Sequence, residues 1–317
     1  MTLLTVTPNP SLDRSYEVPH LGRGEVLRAT VDRVDPGGKG VNVSRAVAAA
    51  GRHTVAVLPF GGPEGALLET LLGEQGIDVA GVAVAGSTRV NAAAVEPDGT
   101  VTKLNAPGPH LSDAEGRALL DAVRTRAAGH ATSWVACCGS LPRGLPPAWY
   151  ADLVAAAHEA GARVAVDTSG PALRAALSRG ADVVKPNTFE LAEAVARPLG
   201  TLGDVLKAAE ELRQLGARGV LASLGPDGQL LVDHTGAHYG RAPVREVRSN
   251  VGAGDASLAG LLVAGGEGPE ALASALRYGA AAVSLPGSQM PTPDDLHDIP
   301  VDITTDLPLD LPLADAG

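Results

Sequence analysis

The sequence predicts an α/β fold, a mainly parallel sheet flanked by helices on both faces, and three observations predict it. Short β-branched or apolar runs alternate with longer Ala- and Leu-rich segments of helical period. Glycines number 39 while aromatics make up only 3% of the chain, so small side chains are available for close helix–sheet packing. Hydrophobic types supply 45% of the 317 residues, enough for one large core.

The runs place strands at 3–7, 54–60, 133–138, 163–167, 182–185 and 219–223, and helices at 40–50, 65–75, 114–127, 148–160 and 204–215. Ser112 and Glu115 have the spacing of a capping box at the start of the third of these helices. Adjacent Cys137 and Cys138 fall inside a strand, where neighbours point to opposite faces, and read as packing residues rather than a disulfide or metal site. Segments 15–35 and 89–105 break the alternation with strand-like stretches and no helix, the second turning at Pro97-Asp98-Gly99. They predict a small antiparallel sheet that covers a ligand as a lid, or else an ordinary edge hairpin. A domain over 1–297 is expected, followed by an acidic tail at 298–317. The tail is rich in Pro and Leu, without Lys or Arg, and reads as a loosely ordered appendage.

Charge narrows the function classes. Lys plus Arg total 25 against 36 Asp plus Glu, a formal net charge of −11 without a long basic run. Such a surface repels nucleic acid and anionic membranes, and any anionic ligand must meet a local cationic pocket. The N-terminus lacks a basic leader and reads as a first strand, and no apolar stretch reaches membrane-spanning length; a cytoplasmic protein is expected. The eight histidines are scattered, and no zinc spacing or GxSxG elbow occurs.

The most informative stretch is Asn250-Val-Gly-Ala-Gly-Asp255, opening an Ala- and Leu-rich segment. A helix N-terminus there exposes unpaired amides and the positive end of the dipole, a site for phosphate oxygens that small residues let the backbone approach. Asp255 in the first turn is either a helix cap or a base that takes a proton from an attacking hydroxyl. Gly37-Gly-Lys-Gly-Val-Asn42 also leads into a helix but lacks Walker spacing; Lys39 and Asn42 suit a phosphorylated polyol better than a nucleotide. Asp13, after the first strand, is either an acceptor for vicinal hydroxyls or a turn residue. Ser140 follows another strand, at the edge where open α/β sheets bind ligands. Asn187 and Glu190 stand three apart at a helix start, a pair suited to hydrated Mg²⁺. Ser223 to Gly228 is either a nucleotide-pocket wall or a hairpin turn.

In order and spacing these elements resemble the ribokinase-like (PfkB-type) carbohydrate kinases, from about Thr2 to Leu296. Thr7-Pro-Asn-Pro-Ser-Leu-Asp13, Thr102-Lys-Leu-Asn-Ala-Pro-Gly108 and the run from Ala282 to Thr292 look most like the bacterial 1-phosphofructokinases and tagatose-6-phosphate kinases. The resemblance implies a ribokinase-like fold and transfer of the ATP γ-phosphoryl to O6 of fructose 1-phosphate. The same-family alternatives are tagatose-6-phosphate or fructose-6-phosphate kinase activity; an inactive sugar-phosphate-binding regulator is the alternative from another class. Asp255 is then the base and the amides of Gly252, Ala253 and Gly254 the anion hole. Asp13, Gly38, Asn42 and Ser140 surround the sugar, with Lys39 and Arg89 on its phosphate. Asn187 and Glu190 organise Mg²⁺, and Lys185, Asn187, Ser223, Gly225, Gly228 and Asn250 lie at the nucleotide. A monovalent cation, K⁺, beside the anion hole and a homodimer through the lid are further implications. Three positions depart from the pattern: Asn250 replaces the usual threonine, Ala106 a common glutamate and Arg143 a common proline.

Overall fold

The computed structural model describes residues 2–129, 132–244 and 246–314. Its main sheet joins β1 (Thr2–Val6), β4 (Thr54–Phe60), β5 (Asp78–Ala83), β8 (Thr132–Cys138), β9 (Arg163–Asp167), β10 (Val183–Val184), β11 (Gly219–Ser223), β12 (Gln229–Asp233), β13 (Gly236–Arg241) and β14 (Asp302–Thr304). The spatial order is β14-β13-β12-β11-β10-β9-β8-β1-β4-β5. From β5 to β11 every neighbouring pair is parallel; β12, β13 and β14 then add on antiparallel.

Two apolar layers explain why the parallel strands read as continuous hydrophobic runs. One face packs under α1 (Lys39–Ala49), α8 (Ala253–Val263) and α9 (Gly268–Val283), with Leu3, Cys138, Leu261 and Leu272 in its core. The other packs under α3 (Asp113–Gly129), α4 (Trp149–Glu159), α5 (Gly170–Leu177), α6 (Thr188–Val195) and α7 (Leu202–Gln214), with Leu4, Cys137, Leu153 and Leu212. Cys137 and Cys138 thus serve opposite cores, both buried and free, as the strand pleat requires. A third cluster, centred on Leu58, Leu68 and Leu72, seats α2 (Gly62–Glu74) at the β5 edge. The Ser112–Glu115 capping box forms, with Glu115 Oε2 accepting from the Ser112 amide at 2.7 Å.

The second sheet has the order β3-β2-β6-β7, from β2 (Ser11–Glu17), β3 (Val31–Gly37), β6 (Arg89–Val95) and β7 (Val101–Leu104). Its outer pairs are antiparallel, and the Pro97–Gly99 turn closes β6 onto β7 through the Glu96 amide and Thr100 carbonyl at 2.9 Å. The central β2–β6 pair is parallel, because both strands leave the main domain in the same direction.

The tail departs from the expected loose appendage. Residues 302–304 extend the main sheet, and the chain then runs back along α7, where the Leu202 and Gly203 amides donate to Leu311 and Leu309. Leu313 is 7% exposed, and the Ala314 amide donates to Asp227 Oδ2 at 2.6 Å. Leucines at 307, 311 and 313 join the core there, and Pro312 pairs with Thr201 in an antiparallel bridge. Between β14 and α9 lies α10 (Pro293–Leu296), opened by a Thr292–Asp295 capping box. No helix of the described residues is long and apolar enough to cross a membrane.

Candidate active site

The C-terminal ends of β1, β8, β9, β10 and β11 deliver Thr7, Gly139, Asp167, Lys185 and Ser223 to one cleft of about 640 Å³. This is the edge where chain reversals leave strand ends free to meet a ligand. The N-caps of α1, α5, α6 and α8, namely Gly38, Ser169, Asn187 and Gly252, all line it. Before α1, Gly38 takes φ 115°, and a Cβ there would stand 2.8 Å from Thr7 Cγ2, so only glycine fits. Before α8, Gly252 takes φ 77° as N-cap, which presents the first-turn amides of Ala253 and Gly254 with no intrahelical acceptor. Lys185 packs against this turn, its Nζ 3.2 Å from where a Gly254 Cβ would lie.

Asp255 sits in that first turn, 8% exposed, and its Oδ2 accepts from Asn42 Nδ2 at 2.8 Å. Burial and the neighbouring Asp167 carboxylate push its pKa up to about 7, against the Asn42 hydrogen bond and the Lys185 and Lys39 charges, which lower it. A carboxyl poised near neutrality is matched to general-base work.

Asp167 is buried between two cations, with Lys39 Nζ 2.7 Å from Oδ1 and Lys185 Nζ 3.0 Å from Oδ2. Those charges hold its carboxyl below the usual range although burial opposes them. Lys39 also reaches Glu190 Oε1 at 3.2 Å, and its carboxylate partners raise its pKa although burial opposes them. Lys39, expected on the sugar phosphate beside Arg89, is thus tied to Asp167 and Glu190 on the main domain. Glu190 and Asn187 share a reciprocal capping box at the start of α6, and Asn187 bridges to Ser223 of β11. Both cleft-lining groups carry oxygen donors, while no group of three or more His, Cys, Asp or Glu able to hold a metal occurs among the described residues. That donor set fits Mg²⁺, which takes one or two protein oxygens and completes its shell with phosphate oxygens and water.

The lid forms the opposite wall. Arg89 on β6 donates to the Ala106 and Asn9 carbonyls, each at 2.9 Å, and burial lowers its pKa. Asp13 on β2 accepts from Ser11 Oγ at 2.7 Å and Asn91 Nδ2 at 2.9 Å, while Lys103 on β7 adds a second lid cation. Ser140 stands 3.5 Å from Asn9 Nδ2, and Asn250 lines the rim.

The cleft therefore gathers Asp13, Gly38, Lys39, Asn42, Arg89, Ser140, Lys185, Asn187, Glu190, Ser223, Asn250, Gly252, Gly254 and Asp255. Ala253 supplies a backbone amide behind that lining. Gly225 and Gly228 do not line it; they form the tight turn between β11 and β12, where a Gly228 Cβ would stand 2.2 Å from the Gly240 carbonyl. Sequence reasoning missed Asp167, Asn9, Asn91 and Lys103. Asp167 was findable as the last residue of a parallel strand, at the same sheet edge that pointed to Ser140. Of the departures, Ala106 receives Arg89, and Arg143 donates to the Gly108 carbonyl at 3.1 Å.

An α/β domain with a lid, helix N-termini and a buried carboxylate at one cleft has the parts of a phosphoryl-transfer site for a small hydroxylic acceptor. Residues 10–295 match the pfkB family carbohydrate kinases, and the chain belongs to that family. It is 39% identical over 304 residues to a 1-phosphofructokinase of Rhodobacter capsulatus, covering 93% of this chain and 95% of the relative. It is 36% identical to the ATP-dependent 6-phosphofructokinase isozyme 2 of Escherichia coli, covering 94% and 97%. Phosphofructokinase-2 of Escherichia coli, solved with potassium, superposes with a TM-score of 0.88 at 35% identity, covering 94% and 97%. The same protein solved with fructose-6-phosphate matches at 0.85. The chain is an ATP-dependent sugar-phosphate kinase with a ribokinase-like fold, and its acceptor is a ketose phosphate.

Proposed function

We propose that the acceptor is a fructose monophosphate and the product fructose 1,6-bisphosphate. The observation that carries this reading is the division of the cleft: Asp255 and the α8 amides stand on the main domain, the cations Arg89 and Lys103 on the lid. A fructofuranose bears a CH₂O group at each end, so its phosphate can meet the lid while its free hydroxyl meets Asp255. Asp255 takes the hydroxyl proton, the oxygen bonds to the γ-phosphorus of ATP, the bond to the β-bridging oxygen breaks, and ADP departs. The Ala253 and Gly254 amides hold the charge of the moving group. Mg²⁺ neutralises phosphate charge when bound, and Asn187 and Glu190 would hold it. Lys185 and Ser223 border the nucleotide. A potassium ion beside the α8 turn belongs to the same proposal, supported by the potassium in the matching structure.

Fructose 6-phosphate stands first, ahead of the fructose 1-phosphate implied by the motifs, because solved structures of phosphofructokinase-2 match this chain at TM-scores of 0.88 and 0.85, the second with fructose-6-phosphate bound. Fructose 1-phosphate is the second reading, favoured by the 39% identical relative. ADP release measured with both fructose monophosphates, tagatose 6-phosphate and free fructose separates them. The highest kcat/KM is expected for fructose 6-phosphate, with free fructose at least about 10²-fold lower, because two lid cations lose charge-assisted contacts. A higher value for fructose 1-phosphate would install the second reading. Comparable efficiency on free fructose would remove the phosphate-binding role of the lid.

The lid also exposes Val90 and Leu104, at 40% and 71%. We propose that they pair two copies of the chain. Sedimentation should then give a dimer, and Leu104→Asp a monomer; a monomeric parent protein would refute this.

A further inference from the structure

Arg45 lies on α1 outside the cleft lining, and Asn42 is the lining residue it hydrogen-bonds. It is 8% exposed, and burial lowers its pKa. The acceptors its guanidinium meets are uncharged oxygens: Gln75 Oε1 at 2.9 Å, the Pro36 carbonyl at 3.4 Å, Ser288 Oγ at 3.3 Å and Asn42 Oδ1 at 3.3 Å. Burying a cation whose direct partners are all neutral is costly even with the Asp35 and Asp13 carboxylates nearby, and a leucine or methionine would fill the same space without that cost. The contact with Asn42 shows what the charge does there. Asn42 and Arg45 are three residues apart on one helix face. A primary amide fits its place in either of two orientations, and only one presents Nδ2 to Asp255. Guanidinium donors beside Oδ1 favour that orientation, since the flipped amide would set NH₂ against cationic donors and Oδ1 against the Asp255 carboxylate.

We infer that Arg45 is a positioning residue for the catalytic base: it locks the Asn42 amide so that Nδ2 donates to Asp255 Oδ2, leaving the other carboxylate oxygen for the acceptor hydroxyl. The inference rests on Asp255 acting as the base. Asn42 Nδ2 is the one hydrogen-bond donor to the Asp255 side chain among the described residues, at 2.8 Å. The charged groups facing Asp255 are Asp167 from β9, Lys185 after β10 and Lys39 from α1, with the Cys138 thiol on β8 beside them. All of these remain when Arg45 is replaced. A change in Asp255 titration that persists in Arg45→Lys, where the cation stays, therefore reports the amide.

The test is Arg45→Met in the full-length enzyme, read by the pH dependence of kcat/KM and by a double-mutant cycle on kcat with Asn42→Ala. The expected results are a kcat roughly 10- to 100-fold lower, as for a base held slightly out of place, and an acid limb moved to higher pH. In the Asn42→Ala background, Arg45→Met should change kcat by less than about 2-fold, because the route to Asp255 is already cut. Arg45→Lys keeps a cation in the core and serves if the methionine variant fails to fold; it should move the acid limb the same way by a smaller step. An unmoved limb with multiplying effects in the cycle, in whichever variant folds, would overturn the inference and leave Arg45 a packing residue. If Asp255→Asn retained turnover, the failure would lie with the base assignment instead.

Discussion

Asp255→Asn is expected to lower kcat by roughly 10²–10⁴-fold, the span usual for loss of a general base, while KM for ATP stays close to its parent value. Asparagine keeps the shape, and its Oδ1 can still accept from Asn42 Nδ2, so the first turn of α8 retains its geometry. The parent enzyme should show an acid limb in kcat/KM near pH 7, where the Asp255 carboxyl titrates, and the variant should lack it. Stability supplies a readout independent of turnover. The folded carboxyl titrates at about 7 against 3.8 unfolded, so the native state holds the extra proton between those values. Unfolding free energy therefore falls as pH rises through that window, and the neutral amide escapes the loss. The variant should melt at or above the parent Tm at pH 8, with its advantage shrinking toward pH 4. A variant that turns over normally, or one destabilised at pH 8, would make Asp255 a helix cap rather than a buried base.

The parts of this enzyme that were legible in sequence are those fixed by local pattern. The strands ending at Val6, Cys138, Asp167 and Ser223 were readable because a fully buried parallel strand must be apolar throughout. The start of α8 was readable because glycines ahead of an Ala- and Leu-rich run mark a helix N-terminus. What escaped was set by pairing across the chain. Lys39 meets Asp167 at a separation of 128 residues, and no spacing rule connects them. Residues 229–241 carry a hairpin, β12–β13, that went unassigned because its buried strands show no alternation. The tail was misread because its leucines and prolines have no single period: Leu309 and Leu311 pair by backbone to α7, while Leu313 packs inward.

Lys39→Met and Arg89→Ala should fail in different ways, because the structure puts the two cations on different walls. The Lys39 amine stands with Asp167 and Glu190, within electrostatic reach of Asp255, the proposed base. Glu190 would hold Mg²⁺ there, and Lys39 would add a second positive charge at the same end of the cleft. Its loss removes charge stabilisation that develops mainly in the transition state, and kcat should drop roughly 10²–10³-fold with KM for the sugar phosphate little changed. Methionine preserves the length of the stem, and Lys185 remains to neutralise Asp167 at 3.0 Å, so the fold survives the exchange. Arg89 instead stands on the lid, oriented by the Asn9 and Ala106 carbonyls. Its truncation should raise KM for the sugar phosphate about 10- to 100-fold, one charge-assisted contact of about 1.5–3 kcal/mol, with KM for ATP unchanged. Steady-state kinetics with each substrate varied in turn distinguishes the two patterns. If Lys39→Met raised KM for the sugar phosphate and spared kcat, the lysine would belong to the acceptor's phosphate beside Arg89, and its bond to Glu190 would be only a resting contact of the empty cleft.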